Sequence, residues 1–427
     1  MIEDLPETGP AMHALATRLF PICRSITGAG LRETLRILAE HVPLTVHEVP
    51  SGTPAFDWTV PKEWNIREAY IENEAGEHIV NFREHNLHVV GYSVPIDEWM
   101  DLETLQAHLY SREDEPDAIP YITSYYEERW GFCLTHTKRL RLVPGRYHAV
   151  INSDLHDGHL TYGELVLQGQ TDEEVLLSTY VCHPSMANNE LSGPIVTTYL
   201  VKWLLEAPRR YTYRIVFAPE TIGAIVYLSR TVQHLKERTV AGFNLTCCGD
   251  ERAYSFLPSR GGQSLADRAA LHVLKHRHPD FIRYSFLDRG SDERQYCSVG
   301  VDLPVVSLMR SKYGTYREYH TSLDDLRLVT PGGLASTLKA YIEVLSLLEK
   351  NQKYHVTVQC EPQLGRRGLM RTLGTGAAHA THLMNVLAYA DGKADLIEIA
   401  ETIHAPAWEL YDVVARLESA GLLAVAS

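Results

Sequence analysis

The chain has 427 residues, of which 45% are hydrophobic and 22% charged, and its formal net charge is −14. This length exceeds one ordinary core and predicts two or three globular domains. The acidic balance argues against wrapping nucleic acid, whose phosphates require a basic surface. No apolar run reaches the roughly 18 to 20 residues that span a bilayer, and acidic residues near the start predict no secretory signal. The seven cysteines, an odd number, do not indicate a disulfide framework, so we expect a cytoplasmic protein without membrane contact.

The first part of the chain begins with helices and then changes character. Residues 10–41 predict two helices around Pro21 and the Gly28-Ala-Gly run, with Thr27 as a candidate cap. Residues 52–145 carry short strand-like runs between turns and four of the six tryptophans. We interpret this segment as a small β-rich module inserted into a larger domain, because an α/β pattern resumes after it.

From residue 146 to residue 358, apolar strands alternate with helices. Such alternation predicts an α/β fold, with a mostly parallel sheet covered by helices on both faces. The interrupted domain would comprise residues 1–51 and 146–358. The predicted strands are 164–167, 175–181, 213–218, 242–246 and 305–307, and the predicted helices are 194–205, 222–237, 265–275 and 332–348.

The C-terminal part, residues 366–427, has a pattern of its own. It predicts three short helices, a tight turn at Asp391-Gly-Lys and a terminal strand, as in a winged helix-turn-helix domain. Such a domain either reads DNA or serves packing and dimerisation. Residues 378–427 contain two basic and seven acidic side chains, a net charge of −5, whereas DNA readers present a basic surface. We therefore expect no nucleic-acid contact, with homo-oligomer formation as the alternative role.

Three residues at predicted strand ends or in loops of the α/β domain could carry chemistry. His183 and Glu220 each follow a strand, and His320 lies in a polar loop with Asp324 four residues later as a candidate orienting partner. Each alone also fits a packing role. Carboxyl ends of parallel strands meet at one edge of a sheet, where open α/β folds build their sites. Imidazoles and a carboxylate there suit a hydrolytic zinc site, with Glu220 as general base.

Several longer fragments resemble a known family. The similarity is to bacterial aminopeptidase-like proteins of the M28 zinc aminopeptidase type, which carry an inserted small module and a C-terminal winged helix. It implies a zinc-exopeptidase-like fold, a link to polysaccharide or natural-product biosynthesis, and metal-binding roles for His183 and His320 beside Glu220 as base. The fragments include Leu19-Phe-Pro-Ile-Cys-Arg-Ser-Ile-Thr-Gly, Cys182-His-Pro-Ser, Gly290-Ser-Asp-Glu-Arg-Gln-Tyr and Glu318-Tyr-His-Thr-Ser.

The resemblance is incomplete at the metal ligands. Three positions where the M28 family has carboxylate ligands hold Asn189, Thr221 and Asn244 here, and neither amide nor hydroxyl brings the charge that holds a second cation. The family's Ser-Asp-His stretch also departs here, because Asp292 is followed by Glu293. The expected centre therefore has one zinc ion. Its predicted ligands are His183, His320 and a carboxylate from Glu190 or Asp250.

Arginines and tyrosines in the same fragments are candidates for substrate binding. A guanidinium binds a carboxylate through two parallel hydrogen bonds, which suits a substrate with a free carboxylate. Structural ion pairing is the alternative for each residue. The candidates are Arg24, Arg294, Arg310, Tyr313 and Tyr316.

Three functions remain open from the sequence. The first is a metal-dependent hydrolase that cleaves an amide or peptide bond of a small peptide-like or amino-acid-derived substrate by zinc-activated water. The second is amidohydrolysis or acyl transfer on a biosynthetic intermediate, such as a modified amino acid or amino sugar. The third is a non-catalytic binding or regulatory protein on a peptidase scaffold.

Overall fold

The computed structural model describes residues 5–369 and 377–426 of the chain. The helices are α1 (Leu5–Leu19), α2 (Ala29–Ala39), α3 (Leu102–Gln106), α4 (His136–Arg139), α5 (Ser192–Leu205), α6 (Ile222–Arg238), α7 (Leu265–Arg277), α8 (Glu293–Tyr296), α9 (Pro331–Lys350), α10 (Ala377–Tyr389), α11 (Leu396–Thr402) and α12 (Ala407–Ser419). The strands are β1 (Thr45–Pro50), β2 (Pro54–Ala55), β3 (Trp58–Thr59), β4 (Glu63–Asn73), β5 (His78–Asn81), β6 (Ile96–Asp101), β7 (Leu109–Tyr110), β8 (Phe132–Cys133), β9 (Arg146–His156), β10 (His159–Leu167), β11 (Glu174–Tyr180), β12 (Thr212–Ala218), β13 (Thr239–Leu245), β14 (Ser255–Leu257), β15 (Ile282–Arg283), β16 (Val305–Met309), β17 (Lys353–Val356), β18 (Asp391–Asp395) and β19 (Leu423–Val425). Within the described ranges, no helix is long and apolar enough to cross a membrane.

An eight-stranded sheet forms the centre of the first compact unit, which comprises residues up to 262 and residues 282–339. Its strand order is β1-β10-β12-β11-β13-β16-β14-β15. At the centre, β11 pairs in parallel with β12 and β13, and β13 pairs in parallel with β16. The strands β10 and β1 extend the sheet in antiparallel fashion. The predicted α/β class, with a parallel centre and five strands at the predicted places, is confirmed.

The central strand β11 explains why the site forms at this sheet. All seven of its residues are buried, as expected for a parallel strand covered on both faces. A single π-helical turn, Ala187–Leu191, follows and leads into α5. Close packing at Gly193 fixes α5 against the sheet, because a Cβ there would lie 2.3 Å from the carbonyl oxygen of Leu245. The loop after β11 is therefore held at both of its ends.

The β-rich module has its own four-stranded sheet, in the order β5-β4-β9-β6. Its core contains Ile71, Phe132 and Ile151 among other buried apolar residues. The strand β9 lies beyond residue 145, where the sequence analysis ended the module, because it pairs along its length with β4. Only two residues separate β9 from β10 of the large sheet, so the chain passes directly from one sheet into the other.

The second compact unit comprises residues 263–281 and 340–427 and contains the winged helix-turn-helix domain. Its sheet has the order β18-β17-β19, so β17 lies outside the predicted bounds 366–427. Residues Asp391–Asp395 form a strand against β17 where a tight turn was predicted. Helix α7 also belongs to this unit, since Arg268 binds Asp395 through two hydrogen bonds of 3.0 and 2.6 Å.

Candidate active site

The candidate site lies where the parallel strands β11 and β12 end. His183 follows β11 and Glu220 follows β12, and His183 Nε2 is 3.5 Å from Glu220 Oε2. The His183 side chain is almost fully buried, whereas 21% of the Glu220 side chain is exposed. The structure thus brings together the first two residues that the sequence placed at strand ends, and leaves Glu220 accessible to a substrate.

Glu190 orients the His183 ring. His183 Nδ1 lies 2.8 Å from Glu190 Oε2, and the Cys182 N–H donates to Glu190 Oε1 at 2.5 Å. The buried guanidinium of Arg24 lies 3.7 Å from the same Oε1. Burial lowers the pKa of His183, but the hydrogen bond and charge of Glu190, together with Glu220, raise that pKa above its ordinary value. Glu190 therefore acts on the ring, and both of its oxygens are occupied.

Burial also changes the pKa of two carboxyl groups at the site, those of Glu220 and Asp292. It raises the pKa of Glu220, although the charges of His183 and Arg294 oppose the shift. Burial and the nearby Glu220 charge raise the pKa of Asp292 well above its ordinary value. Asp292 Oδ1 accepts a hydrogen bond of 2.7 Å from the Thr221 N–H, which fixes the backbone next to Glu220. The sequence analysis had not assigned Asp292 to the site.

His320 completes the pair of histidines. Its ring centroid is 5.4 Å from that of His183. The His320 ring stacks on the Tyr319 ring, with the centroids 3.9 Å apart. Burial, and to a smaller extent His183, lower the pKa of His320 to about 3, so the ring is neutral near pH 7. Its Nε2 is buried and has no hydrogen-bond partner in the described part of the chain. A neutral imidazole with a spare lone pair is the form that binds a metal ion.

The three positions that lack family carboxylates differ in their contacts. The amide nitrogen and the amide oxygen of Asn189 are both buried without a hydrogen-bond partner among the described residues. Asn244 donates to Glu293 Oε2 at 3.0 Å, and the Thr221 hydroxyl accepts from Arg294 at 2.7 Å. Asn244 Oδ1 also lacks a partner among the described residues. Buried polar groups normally have partners, so these amides are candidate contacts for a ligand or an ion.

Backbone strain accompanies these residues. Ser185, Thr221, Cys247 and His320 all have positive φ, at 42°, 63°, 51° and 56°. Non-glycine residues adopt this conformation at a cost of order 1–3 kcal/mol, and such residues cluster at functional sites. Four of them beside one sheet edge support a functional reading of the site.

Asp324 and Asp250 hold the loop after β11 rather than a histidine. Asp324 accepts hydrogen bonds from the backbone N–H groups of Asn188 and Asn189 at 2.6 and 2.9 Å. Burial raises its pKa to about 6, although these bonds oppose the shift. Asp250 Oδ2 accepts from Asn188 Nδ2 at 3.0 Å and from the Ser311 N–H at 2.9 Å. The expected pairing of Asp324 with His320 is thus replaced by a backbone clamp, and the Asp250 oxygens are already engaged.

The predicted ligand set is only partly assembled. In this unit, one set of three potential ligand atoms among the described residues lies within 4.8 Å of one another, and it belongs to Cys182, His183 and Glu190. Burial raises the pKa of the Cys182 thiol well above its ordinary value, which opposes the thiolate that binds metal. Among the described residues, potential donor atoms without a hydrogen bond instead include His183 Nε2, which lies 3.5 Å from Glu220, His320 Nε2 and the Asn189 amide oxygen. The ring centroids of the two histidines are 5.4 Å apart, and this set lacks the carboxylates that hold a second cation.

Of the predicted substrate-binding residues, Arg294 is the one whose charge influences the pKa of Glu220, which it lowers. Arg24 is wholly buried, and its Nε and one terminal nitrogen donate to the carbonyl oxygens of His183 and Leu19 at 3.0 and 2.8 Å. Arg24 therefore supports the loop after β11. It cannot reach a substrate, contrary to our expectation from the sequence. The others are also buried: Arg310 lies over the Tyr254 ring, Tyr313 donates to Glu293, and Tyr316 donates to Asp324.

The inserted module contributes residues that the sequence analysis missed. The Tyr121 ring centroid lies 5.0 Å from that of His183 and 5.2 Å from that of His320. The Tyr121 N–H donates to the His320 carbonyl oxygen at 2.9 Å, and its hydroxyl lies 2.8 Å from that of Tyr125. The aromatic run around Tyr125 was the available sequence signal, but the pairing of Tyr121 with His320, 199 residues later, could not be predicted from it.

Comparison with known proteins shows the family. Residues 13–351 match the family described as a domain of unknown function, DUF4910, and residues 352–425 match a winged helix-turn-helix family. The chain belongs to the DUF4910 family.

A candidate polysaccharide biosynthesis protein with an aminopeptidase-like domain, from Clostridium acetobutylicum, is 46% identical over 93% of this chain and 92% of its own length. The crystal structure of a candidate peptidase from Clostridium acetobutylicum superposes with a TM-score of 0.94 at 43% identity, covering 99% of this chain and 98% of that one.

The fold extends to enzymes of low sequence identity. A zinc aminopeptidase from Bacillus subtilis has a TM-score of 0.55 at 12% identity, covering 80% of this chain and 94% of that one. The similarity expected from the sequence, to proteins with an M28-type aminopeptidase fold and a C-terminal winged helix, is confirmed.

Proposed function

We propose that the chain is a metal-dependent hydrolase of the aminopeptidase type, which cleaves an amide or peptide bond in a small substrate. The pairing of His183 with Glu220 carries the proposal. Glu190 fixes the imidazole so that Nε2 lies 3.5 Å from the Glu220 carboxylate. The His320 ring centroid is 5.4 Å from that of His183, and its Nε2 has no hydrogen-bond partner among the described residues. Two imidazole nitrogens beside a carboxylate are the donors of a hydrolytic zinc site.

The donors suit one zinc ion. His183 and His320 would hold it through Nε2, and Asn189 would add a neutral oxygen. Glu190 would act through His183, as carboxylates behind metal-bound histidines commonly do. A ligand set with little negative charge predicts weak retention of the ion, so the bound fraction should depend on the zinc concentration during purification.

The chain's own residues supply the proton transfer. Zinc, when bound, acts as a Lewis acid on the substrate carbonyl and activates water. Glu220 accepts the proton of the attacking water and returns it to the departing amine, and burial, which raises its pKa, strengthens it as a base for the first step. Arg294, which binds the Thr221 hydroxyl, supplies a positive charge beside the carboxyl.

Elemental analysis and turnover test this proposal together. The full chain, purified without chelator, should contain up to one zinc ion and hydrolyse amino-acid amides, and Glu220→Gln should abolish most of that turnover. A chain that holds no zinc, nickel or manganese and cleaves no amide contradicts the proposal. That result would favour the non-catalytic binding or regulatory role.

A second form of the proposal concerns a biosynthetic substrate. It is favoured by the description of the 46% identical relative, which links that protein to polysaccharide biosynthesis. In this form the same residues perform amidohydrolysis or acyl transfer on a modified amino acid or amino sugar. Mass spectrometry separates the two reactions, because transfer to an amine yields a new amide whereas hydrolysis yields the free acid.

We propose a cytoplasmic protein that forms homo-oligomers through its tail and does not bind nucleic acid or membranes. Helix α12, the third helix of the winged domain, exposes Glu409, Asp412 and Glu418. Their sign is opposite to what contact with DNA phosphates requires, which supports a protein partner for this helix.

A further inference from the structure

A cavity of about 460 Å³ lies beside Glu220 and is not used by the proposed proton transfer. It opens at the start of α6, where Glu220, Thr221 and Ile222 line it, and its opposite side comes from the inserted module. Its size is that of a site for a small molecule or a single side chain. Its position beside Glu220 makes it a candidate site for the part of a substrate next to the scissile bond.

Exposed aromatic side chains dominate the module's side of this cavity. Trp58 is 42% exposed and Tyr126 is 52% exposed, and their ring centroids are 5.9 Å apart at an angle of 60°. The Tyr126 hydroxyl donates to the Thr59 carbonyl oxygen at 3.1 Å, which fixes the ring. Two large aromatic groups left open together beside a catalytic carboxylate are typical of a binding surface.

Tyr125 joins this cavity to the histidines. Its φ is 37°, a conformation that non-glycine residues adopt at a cost. Its ring packs edge-on against Tyr92 at 5.5 Å, and its hydroxyl meets that of Tyr121, whose ring contacts both His183 and His320. A group that packs against Trp58 and Tyr126 therefore lies along the same wall as Glu220.

The polar groups of the cavity favour a flat apolar occupant over a sugar. The Ser124 hydroxyl already lies 3.2 Å from the Gly91 and Tyr92 carbonyl oxygens, and Arg129 donates to the Thr123 carbonyl oxygen at 3.1 Å. Among the described residues that line the cavity, Thr123 Oγ1 and Arg129 Nε are buried without a partner, which is too few for the hydroxyls of a sugar. A sugar needs a partner for each of its several hydroxyls, because unmatched buried hydroxyls are costly. An aromatic ring needs only ring faces and edges at about 4.5–7 Å.

We propose that this cavity binds the aromatic side chain of the amino acid whose amide bond is cleaved. The position of the scissile bond rests on the proposed hydrolase function, but binding of the side chain does not. The chain would then prefer phenylalanine-like over alanine-like substrates by at least about tenfold, as expected when a hydrophobic pocket gains several carbon atoms.

Calorimetric titration of the full chain with two amino alcohols tests the proposal independently of turnover. L-Phenylalaninol and L-alaninol share an amine but carry no scissile amide. We expect the Kd of phenylalaninol to be at least about tenfold lower than that of alaninol. Trp58→Ala and, independently, Tyr126→Ala should reduce this ratio to about two. Trp99→Ala is the matched control, since Trp99 is also 42% exposed but stacks on His148 away from the cavity.

Equal binding of the two alcohols, or an unchanged ratio in both cavity variants, overturns the proposal. Tighter binding of N-acetylglucosamine than of phenylalaninol also overturns it in favour of a sugar site. Selective, Trp58-dependent binding without hydrolysis of phenylalanine amides would leave the cavity assignment intact while removing the proposed hydrolase function.

Discussion

His183 in the first unit and His272 in the second are both buried, and each ring has its Nδ1 hydrogen bonded to a glutamate. The distances are 2.8 Å to Glu190 and 2.6 Å to Glu401. They differ at the other ring nitrogen. His272 Nε2 accepts a hydrogen bond of 2.9 Å from the Ala407 N–H, whereas His183 Nε2 faces Glu220 at 3.5 Å. A buried histidine–glutamate pair therefore identifies a reactive centre only when the second nitrogen is left for a ligand.

The same difference decides between two potential metal sites. The ligand atoms of His272, His276 and Glu401 lie within 4.8 Å of one another. A neutral imidazole has one lone pair, and the Ala407 N–H already takes that of His272. This cluster is thus a structural connection between α7, α11 and α12 within the second unit, and His183 with His320 remains the pair that we propose for the metal ion.

The largest expected effect comes from removing the carboxylate that faces His183. Glu220→Gln should lower the rate of amide hydrolysis by about 10²–10⁴-fold, the usual contribution of a general base. Melting temperature should change little, because 21% of the side chain is exposed. Steady-state kinetics with amino-acid amides measures the loss, and Glu401→Gln, in the second unit, should leave the rate unchanged.

Replacing Glu190 tests the role of the carboxylate that orients His183. Glu190→Gln should lower activity by about 10–100-fold, the typical effect of losing a carboxylate behind a metal-bound histidine. It should also destabilise the fold by about 3–5 kcal/mol, because the Arg24 guanidinium is left as an uncompensated buried charge. Urea denaturation of the full chain measures the second effect. A variant with normal stability and normal activity would contradict the role given to Glu190.

Zinc content tests which histidines hold the ion. His183→Ala and His320→Ala should each reduce bound zinc to background after dialysis, because each removes one of two imidazole donors. His272→Ala should leave the zinc content unchanged. Loss of zinc from the His272 variant alone, measured by elemental analysis, would reverse the assignment of the two clusters.

The smallest effect is a pH dependence of the second unit. Burial lowers the pKa of His272 below 6.5, against the opposing influence of Glu401, while His276 and Lys275 lower it further. The unfolded chain then binds more protons than the folded unit below about pH 6.5, so stability falls with decreasing pH. Thermal melts between pH 7.5 and 5.5 should show a melting temperature that falls with decreasing pH, and His272→Gln should make this fall smaller. An unchanged slope would mean that other groups dominate this range.

Much of the fold was predictable because it depends on local pattern. The buried strand β11 and its neighbours have continuous apolar runs, and their ends place His183 and Glu220 correctly. Helix α7 and strand β17 were harder, since their membership in the second unit depends on pairing with distant residues such as Asp395. Apolar pattern reveals that an element exists, but not which partner buries it.

The site was less predictable because its chemistry depends on which atoms are already engaged. The sequence indicated Glu190 as important, yet its two oxygens point to His183 and Cys182. It indicated Arg24 as a substrate clamp, yet that guanidinium is wholly buried. Residue type limits what a side chain can bind. Only the three-dimensional contacts show what it still has free.

The backbone contact between the module and the His320 loop limits how this protein can be divided. The Tyr121 N–H donates to the His320 carbonyl oxygen, and the Ser322 N–H donates to that of Ile119, both at 2.9 Å. A shortened chain without the inserted segment would lose these two anchors and with them the position of its second histidine. An insertion put in its place would have to reproduce these two backbone contacts for the His320 loop to keep its position.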